Sequence, residues 1–212
     1  RASGVLLIEL LVILSGVGLI VGALSMTGLS GTLVNELLFL AGGSLAVLLL
    51  MGAATSFVLG IGMTVTAAYI FLAIILAPAL IKGGLEPLAV HLFILYWGML
   101  SFITPPVALG AFAAASIAGA RPMLTGLRAM GLGASTYFIP FFFVLEPALI
   151  LQGSWQITLI QVIEVLIGIT VIAGAMQGYL LGLGPLTSNW LVRLVLGVGG
   201  LLIALPGLGA VK

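Results

Sequence analysis

Long apolar runs separated by short polar or glycine-rich segments dominate the chain. The first run covers about residues 4–24 and is long enough for a membrane-spanning helix, which needs about 20 apolar residues. A Gly, Ser and Thr turn region follows at 25–32, and the apolar segment 33–41 is too short to cross, so we predict that it lies along the membrane interface. Backbone groups inside a bilayer must be satisfied within their own segment, so each long run is predicted to be a helix.

Two shorter runs, at about 44–59 and 67–81, enclose a polar, glycine-rich tip. That tip reads Gly60-Ile61-Gly62-Met63-Thr64-Val65-Thr66. A helix of about 15 residues rises only about 22 Å, short of a hydrocarbon core of about 30 Å. The pattern therefore predicts a re-entrant hairpin over about 44–81, with residues 60–66 at its tip.

The next apolar run, at about 87–119, contains a proline pair. Proline removes a backbone donor and disfavours a helical predecessor, so the helix before it is expected to end near residues 102–103. Thr104 suits an N-cap and proline is tolerated in a first helical turn, so Thr104-Pro105-Pro106 is predicted to start a second helix. The run is therefore predicted to be a broken helix with free carbonyls at membrane depth.

Beyond a boundary at 120–128, three further spans are predicted at about 129–151, 155–181 and 190–211. If the hairpin enters and leaves on one side, Lys82 and Lys212 share that side. The opposite side receives four arginines, which are Arg1, Arg121, Arg128 and Arg193. The positive-inside rule makes the arginine side cytoplasmic, so the hairpin is predicted to open from the outside.

Composition supports an integral membrane protein and excludes several classes. The chain has 212 residues, of which 63% are hydrophobic and 5% charged, far from a soluble domain. A net charge of +1 gives no basic surface for nucleic acid. The absence of cysteine removes disulfides and thiol chemistry.

The two interruptions carry the functional interpretation. A helix whose C-terminus lies inside the bilayer presents a partial negative charge there, which suits a cation. Sodium is the predicted ion. Thr64 and Thr66 lie beside a helix N-terminus, which favours anions. Paired broken helices indicate a secondary-transporter site. Two structural explanations stay open, a proline kink that shapes packing and close helix packing through small residues.

Ionisable residues in or near apolar segments are functional candidates by default. Glu9, Glu146, Glu164 and Arg193 are of this kind. Glu146 and Arg193 lie near span ends and are predicted to be structural. For Glu164, with Gln161 three residues earlier on the same helical face, we predict a buried hydrogen-bonded contact with other helices, while proton coupling stays an alternative.

The single histidine and the larger polar aromatics are predicted to be structural. His91 is expected to be a hydrogen-bonded packing residue rather than a titrating switch. Aromatic residues near span ends form a membrane-interface belt rather than a stacking site. The belt is expected to contain Trp97, Trp155, Trp190, Tyr96, Tyr137 and Tyr179.

Over about residues 1–152 the sequence resembles the large membrane subunit of tripartite ATP-independent periplasmic (TRAP) transporters, in their fused-permease branch. The matching text is GIGMTVTAAYI at 60–70, AVHLF at 89–93, ITPPVA at 103–108, IAGA at 117–120, and FIPF at 138–141 onward to Glu146-Pro147. The two spans that follow resemble the extra C-terminal helices of fused members.

The resemblance implies an all-α integral membrane fold of the elevator type, built from two inverted repeats, each with a hairpin and a broken helix. Residues 1–152 correspond to the C-terminal repeat and 153–212 to two additional transmembrane helices. The other repeat is expected upstream of Arg1, so this chain alone is not expected to transport.

The implied function is sodium-coupled import of a small organic acid or related solute, delivered by a periplasmic binding protein to the bacterial inner membrane. The other expected partners are the upstream half of the permease, and a small membrane subunit or its fused equivalent. Two alternatives are an accessory subunit whose helix breaks serve packing only, and an intramembrane enzyme. The enzyme is disfavoured because no Ser/His, paired-Asp or His–Glu metal constellation is present.

The site residues carried over from the family are the hairpin tip and the helix break. They are Gly60, Gly62, Met63, Thr64, Thr66, Ser101, Thr104, Pro105 and Pro106, with Na+ expected at Gly60, Gly62, Thr66 and Thr104. The family usually has a proline and two threonines where this chain reads Thr64-Val65-Thr66. The change to Val65 removes a hydroxyl and leaves backbone carbonyls as ligands there.

Overall fold

The computed structural model describes residues 26–205 except 63, 64, 107, 181, 183 and 187–189, together with residues 8, 11, 12, 15, 16, 18–20, 22 and 23. Of residues 30 and 61 it describes only the backbone. Most of the predicted first span, with Glu9, lies outside the described residues. The chain divides into two compact units, Arg1–Met99 and Leu100–Lys212. The predicted division near residue 152 stays a prediction.

The described part of the first unit is helical from residue 29 onward, apart from short turns. Its helices are α1 (Leu29–Leu40), α2 (Leu45–Gly62), α3 (Val65–Ile75), α4 (Ala77–Lys82) and α5 (Pro87–Met99). The turn predicted at 25–32 is wrong in its second half, because α1 begins at Leu29. Gly28 precedes it in the left-handed region, at φ 70°, where glycine has no steric penalty.

Helices α2 and α3 form the two arms that the hairpin pattern predicted, and the tip residues Met63 and Thr64 lie outside the described residues. The second arm is divided in two because Pro78 has no N–H and stands in the first turn of α4. The Leu76 carbonyl closes the junction by accepting from the backbone N–H groups of Ala79 and Leu80, at 3.1 and 3.2 Å. That the pair re-enters the membrane on one side stays a prediction.

The two arms pack with α5 around one apolar core. Its fully buried side chains include Leu49, Leu72, Leu76, Leu80, Val90, Phe93 and Ile94. Glu86 fixes the start of α5, because its Oε2 accepts from the backbone N–H of Ala89 at 2.7 Å. Lys82 at the end of α4 donates to Asn35 Oδ1 at 2.8 Å, which ties α1 to the second arm.

The second unit consists mostly of helices and three short 3₁₀ turns. They are the turn Leu100–Phe102, α6 (Leu109–Ala118), α7 (Pro122–Leu132), the turn Ala134–Tyr137, α8 (Ile139–Leu145), the turn Pro147–Ile150, α9 (Trp155–Gln177) and α10 (Trp190–Ala204). Between α9 and α10, β1 (Tyr179–Leu180) and β2 (Gly184–Pro185) pair antiparallel, with Tyr179 opposite Pro185. This two-residue ladder is a small departure from the all-α prediction.

Two sequence predictions for the middle of this unit are wrong. The boundary predicted at 120–128 is largely helix α7, and the span predicted at 129–151 is not straight. The chain bends by 67° between Pro122–Leu132 and the helical stretch Ala134–Leu145. Gly133 stands at the bend, and the 3₁₀ turn that follows it separates α7 from α8.

In the part of the chain that is described, α9 alone is long and apolar enough to cross a membrane by itself. The bent pair would add a second candidate if its two halves form one span. Helix α9 has 23 residues and nearly matches the predicted span 155–181. Helix α10 begins at Trp190 as predicted and ends at Ala204, and residues 206–212 lie outside the described part.

Helices α9 and α10 approach through small residues. A Cβ added to Gly168 would lie 2.5 Å from Ala204 Cβ and 2.7 Å from the Gly200 carbonyl oxygen, distances that real side chains do not tolerate. Phe142 of α8 and Ile172 belong to the same buried cluster as Ala204. The helix pair therefore depends on glycine at its closest point, as membrane helix pairs commonly do.

We expect Gly168→Ala to destabilise the second unit by about 1–3 kcal/mol, because the new methyl group forces α9 and α10 apart. The apparent thermal midpoint in detergent measures the effect. Gly199→Ala is the matched control, because a Cβ at Gly199 would meet nothing within 4 Å and alanine is the better helix former. Equal midpoints for Gly168→Ala and the unmodified chain would refute this packing.

Candidate functional site

The helix break falls where the proline pair predicts. Helix α5 ends at Met99, the turn Leu100–Phe102 follows, and α6 begins only at Leu109. Because Pro105 and Pro106 have no N–H, the carbonyls of Ser101 and Phe102 lose the donors that a continuous helix would supply. The bond between the two prolines is cis.

The Phe102 carbonyl has no hydrogen-bond donor among the described residues at this break. The Ser101 carbonyl accepts from the Thr104 N–H at 3.4 Å, whereas no described residue donates to Phe102 O. The start of α6 lies beside it, because a Cβ added to Gly110 would be 3.3 Å from Phe102 O. Phe102 ends the turn that follows α5, and a carbonyl without a donor at such a C-terminal helix end can contribute to a cation site.

Thr104 has a different role from the predicted N-cap. Its Oγ1 donates to the Leu100 carbonyl, one helical turn earlier, at 2.7 Å, and Ala108 occupies the N-cap position of α6. The side chain is 2% exposed. The prediction failed because a buried threonine hydroxyl can bond the carbonyl four residues before it as readily as it can cap the next helix.

Tyr137 is the residue that the sequence analysis missed. Its hydroxyl lies 2.7 Å from Thr104 Oγ1, so Thr104 donates to Leu100 O and accepts from Tyr137. The sequence placed Tyr137 only in the interface belt, and that membrane position stays a prediction. A signal was present, since Ser135, Thr136 and Tyr137 form a polar cluster inside an apolar run.

Tyr137 also borders an open apolar cleft of about 430 Å³. The other lining residues are Met130, Gly131, Ala134, Phe138 and Met176. Tyr137 therefore contacts the helix break through its hydroxyl while it lines this cleft.

Gly126 of α7 lets this helix pack on the break. A Cβ added there would lie 2.8 Å from Pro105 Cγ and 3.4 Å from both Ala108 Cβ and Phe112 Cε1. The proline ring is held by its own backbone and cannot rotate away. Gly126 is buried, whereas Gly131 of the same helix would present a Cβ to open space.

In the first unit, the end of α2 lies against the last turn of α5. A Cβ added to Gly60 would be 3.2 Å from the Gly98 carbonyl oxygen and 3.3 Å from Gly98 Cα, so the two backbones touch. One turn before Gly60, Ser56 is fully buried and its Oγ has no hydrogen-bond partner among the described residues.

Aromatic rings pack beside this contact. The Trp97 ring makes an edge contact with Phe57 of α2 at 6.1 Å between centroids, and a tilted contact with Phe93 at 6.4 Å. Trp97 therefore packs within the first unit, and its predicted place in the interface belt stays a prediction. Trp155 and Trp190 are 73% and 67% exposed at the first positions of α9 and α10, and their place in the belt stays a prediction.

The nine predicted site residues are distributed over both units. Gly60 is buried, Gly62 ends α2, and Thr66 is exposed in the first turn of α3. Met63 and Thr64 lie outside the described residues. In the second unit Ser101 and Thr104 are buried, Pro105 is half-buried and Pro106 is exposed. The binding roles of all nine stay predictions.

The ionisable residues mostly have local structural partners. Glu146 Oε1 accepts from the Ala148 N–H at 3.4 Å and so caps the turn Pro147–Ile150. Arg193 Nε donates to the Ala175 carbonyl at 2.7 Å, and its Nη2 donates to the Met176 carbonyl. His91 Nδ1 is 3.2 Å from the Tyr69 hydroxyl, in agreement with a packing role.

Comparison with known proteins identifies the family. Residues 2–158 match the family described as "Tripartite ATP-independent periplasmic transporter, DctM component". No curated protein and no solved structure gives a match. The matched stretch covers about three quarters of the chain and contains both the hairpin arms and the helix break. The chain therefore belongs to the DctM component family of tripartite ATP-independent periplasmic transporters, a family of transporter membrane components rather than enzymes.

Proposed function

We propose that the chain is a permease portion of a sodium-coupled secondary transporter that imports a small organic acid or related solute across the bacterial inner membrane, which it crosses several times. The family supplies the transporter class. A periplasmic binding protein delivers the solute. A small membrane subunit or fused equivalent, and the other repeat of the permease, complete the transporter.

The observation that carries the sodium proposal is the Phe102 carbonyl at the end of the turn after α5, to which no described residue donates. In a membrane, a backbone oxygen without a hydrogen-bond donor costs several kcal/mol unless water or an ion satisfies it. Broken helices in secondary transporters use unwound carbonyls and helix C-terminal ends to hold Na+. No covalent cofactor is needed for this function.

The nearby hydroxyl network supports the same proposal. Thr104 is held by Leu100 O and Tyr137, so the chain around the break has a defined shape before an ion binds. Preorganised ligands lose less conformational entropy on binding. We assign Na+ to carbonyls and hydroxyls at Gly60, Gly62, Thr66 and Thr104, with Phe102 O added to this set. The variants below test the break.

Helix N-termini suit the anionic solute. Helix α3 begins at Val65 and α6 at Leu109, and each start leaves backbone N–H groups without partners inside the helix. Such groups attract carboxylates. Because binding linkage is reciprocal, an ion that raises solute affinity is itself bound more tightly when the solute is present, which couples the two. An elevator-type movement would then carry both across.

The direct test is uptake by the complete transporter in proteoliposomes with its binding protein present. Replacing external Na+ by choline is expected to lower the initial uptake rate at least about tenfold, equivalent to about 1.4 kcal/mol. A proton gradient imposed without Na+ should not restore uptake. Uptake that depends on the proton gradient and not on Na+ would refute the sodium proposal and leave the family assignment unchanged.

Thr104→Val should raise the Na+ concentration for half-maximal uptake about tenfold. Valine has nearly the same shape but cannot donate to Leu100 O or accept from Tyr137. Thr104→Ser keeps the hydroxyl and should retain most affinity. Thr125→Val is the matched control, because Thr125 Oγ1 makes the same type of bond to Arg121 O, at 3.0 Å. Equal sodium curves for Thr104→Val and Thr125→Val would contradict a role at the break.

Gly126→Ala should reduce sodium-dependent uptake about tenfold or more, because the new methyl group collides with the Pro105 ring and displaces the break. Gly131→Ala on the same helix should leave uptake unchanged, since its Cβ meets nothing within 4 Å. Protein amount and thermal midpoint are measured for both variants. Full uptake in both Gly126→Ala and Thr104→Val would favour an accessory subunit whose breaks serve packing.

A further inference from the structure

Glu164 is an ionisable residue near the middle of α9. The helix runs from Trp155 to Gln177, so Glu164 lies about 14 Å from its first residue in a helix about 35 Å long. That position corresponds to the centre of a bilayer core about 30 Å thick. A charged group at such a depth is costly unless it is paired.

Glu164 has no such pair in the described part of the chain. No described residue makes a hydrogen bond or ion pair with its carboxylate. Arg193, the basic residue nearest to Glu164 in sequence, donates to the carbonyls of Ala175 and Met176, eleven and twelve residues further along α9. Lys82 belongs to the first unit, where it donates to Asn35.

Glu164 lies at the edge of the face by which α9 packs on its neighbours. Gln161, Val165 and Gly168 of that face are buried, while Glu164 is half-buried and Ile163 and Ile167 are about half exposed. Gln161 is only 6% exposed and also makes no hydrogen bond with a described residue. An amide and a carboxylate thus lie one turn apart beside an open apolar surface.

We propose that this part of α9 binds a transmembrane helix of another component of the transporter through a lysine or arginine on that helix, paired with Glu164. Charge complementarity with Glu164 favours a helix that carries a basic residue. A carboxylate at mid-depth is stabilised most by a cationic donor, and Gln161 can accept a further hydrogen bond from the same side chain. This proposal rests on the proposed function in one respect, because that function places α9 in a membrane beside other components of the transporter.

The surrounding surface fits a helix rather than a soluble ligand. The exposed residues next to Glu164 are long aliphatic side chains, among them Ile160, Ile163 and Ile167. Such a surface can pack on a helix along its length, while the single carboxylate sets register and partner choice. A second copy of this chain would bring a like charge to Glu164 and is disfavoured.

The test uses the full chain in phosphatidylcholine vesicles with 23-residue Leu/Ala peptides that carry Arg, Asn or Leu at the central position. Because the chain has no cysteine, Gln152→Cys provides one labelling site just before α9 for energy transfer to labelled peptide. We expect the Arg peptide to associate about 3- to 20-fold more tightly than the Leu peptide. Glu164→Gln should abolish this preference, and Glu164→Asp should retain it.

Glu36→Gln is the control, because Glu36 is an exposed carboxylate on α1 whose removal should not alter the preference. Equal association of the Arg, Asn and Leu peptides with the unmodified chain would overturn the proposal, and that comparison needs no Glu164 variant to fold. A preference that survives Glu164→Gln would also overturn it. Association is measured without Na+ or solute, so its failure is distinguishable from failure of the sodium proposal.

Discussion

The structure depends on one constraint, that each backbone carbonyl and N–H inside a bilayer needs a partner. The proline pair removes two donors at once and leaves the chain to satisfy the carbonyls before it by other means. Leu100 O is satisfied by the Thr104 hydroxyl, Ser101 O by a long bond from Thr104 N, and Phe102 O by no described group. The position of the prolines therefore explains why Phe102 O has no donor among the described residues.

Close backbone approach is the second consequence of the same environment. Lipid is as apolar as the helix surfaces, so helices gain by packing at short distance rather than by leaving water. Gly60 against Gly98, Gly126 against Pro105 and Gly168 against Gly200 are three such contacts. In each contact the polar backbone of the glycine lies close to a neighbouring element. Any side chain at that position would keep the two apart. The first two contacts involve Gly60 and Pro105, which are predicted to form part of the transport site.

Sequence periodicity and the length of the apolar runs were sufficient to predict helices α2 and α3, the position of the helix break and the start of α10. Long apolar runs and prolines act locally, so the sequence alone reveals their effect. They failed where tertiary contacts decide. Thr104 has two local options for its hydroxyl, and the neighbouring Tyr137 selects the one that bonds Leu100 O. The 67° bend after Leu132 was missed because an apolar run has the same composition whether it is straight or folded back.

Arg193 and Glu164 show two solutions to the cost of a charge in an apolar segment. Arg193 lies near the start of α10 and bonds the last carbonyls of α9, where the helix dipole also favours a cation. Its charge is therefore satisfied by a neighbour that folds with it. Glu164 lies too far from the start of α9 to reach the N-terminus of that helix, where backbone N–H groups favour an anion. A carboxylate in that position must be neutralised by a proton or paired with another side chain. The adjacent buried amide of Gln161 suits pairing, because its carbonyl oxygen can accept a further hydrogen bond from a cationic partner of Glu164.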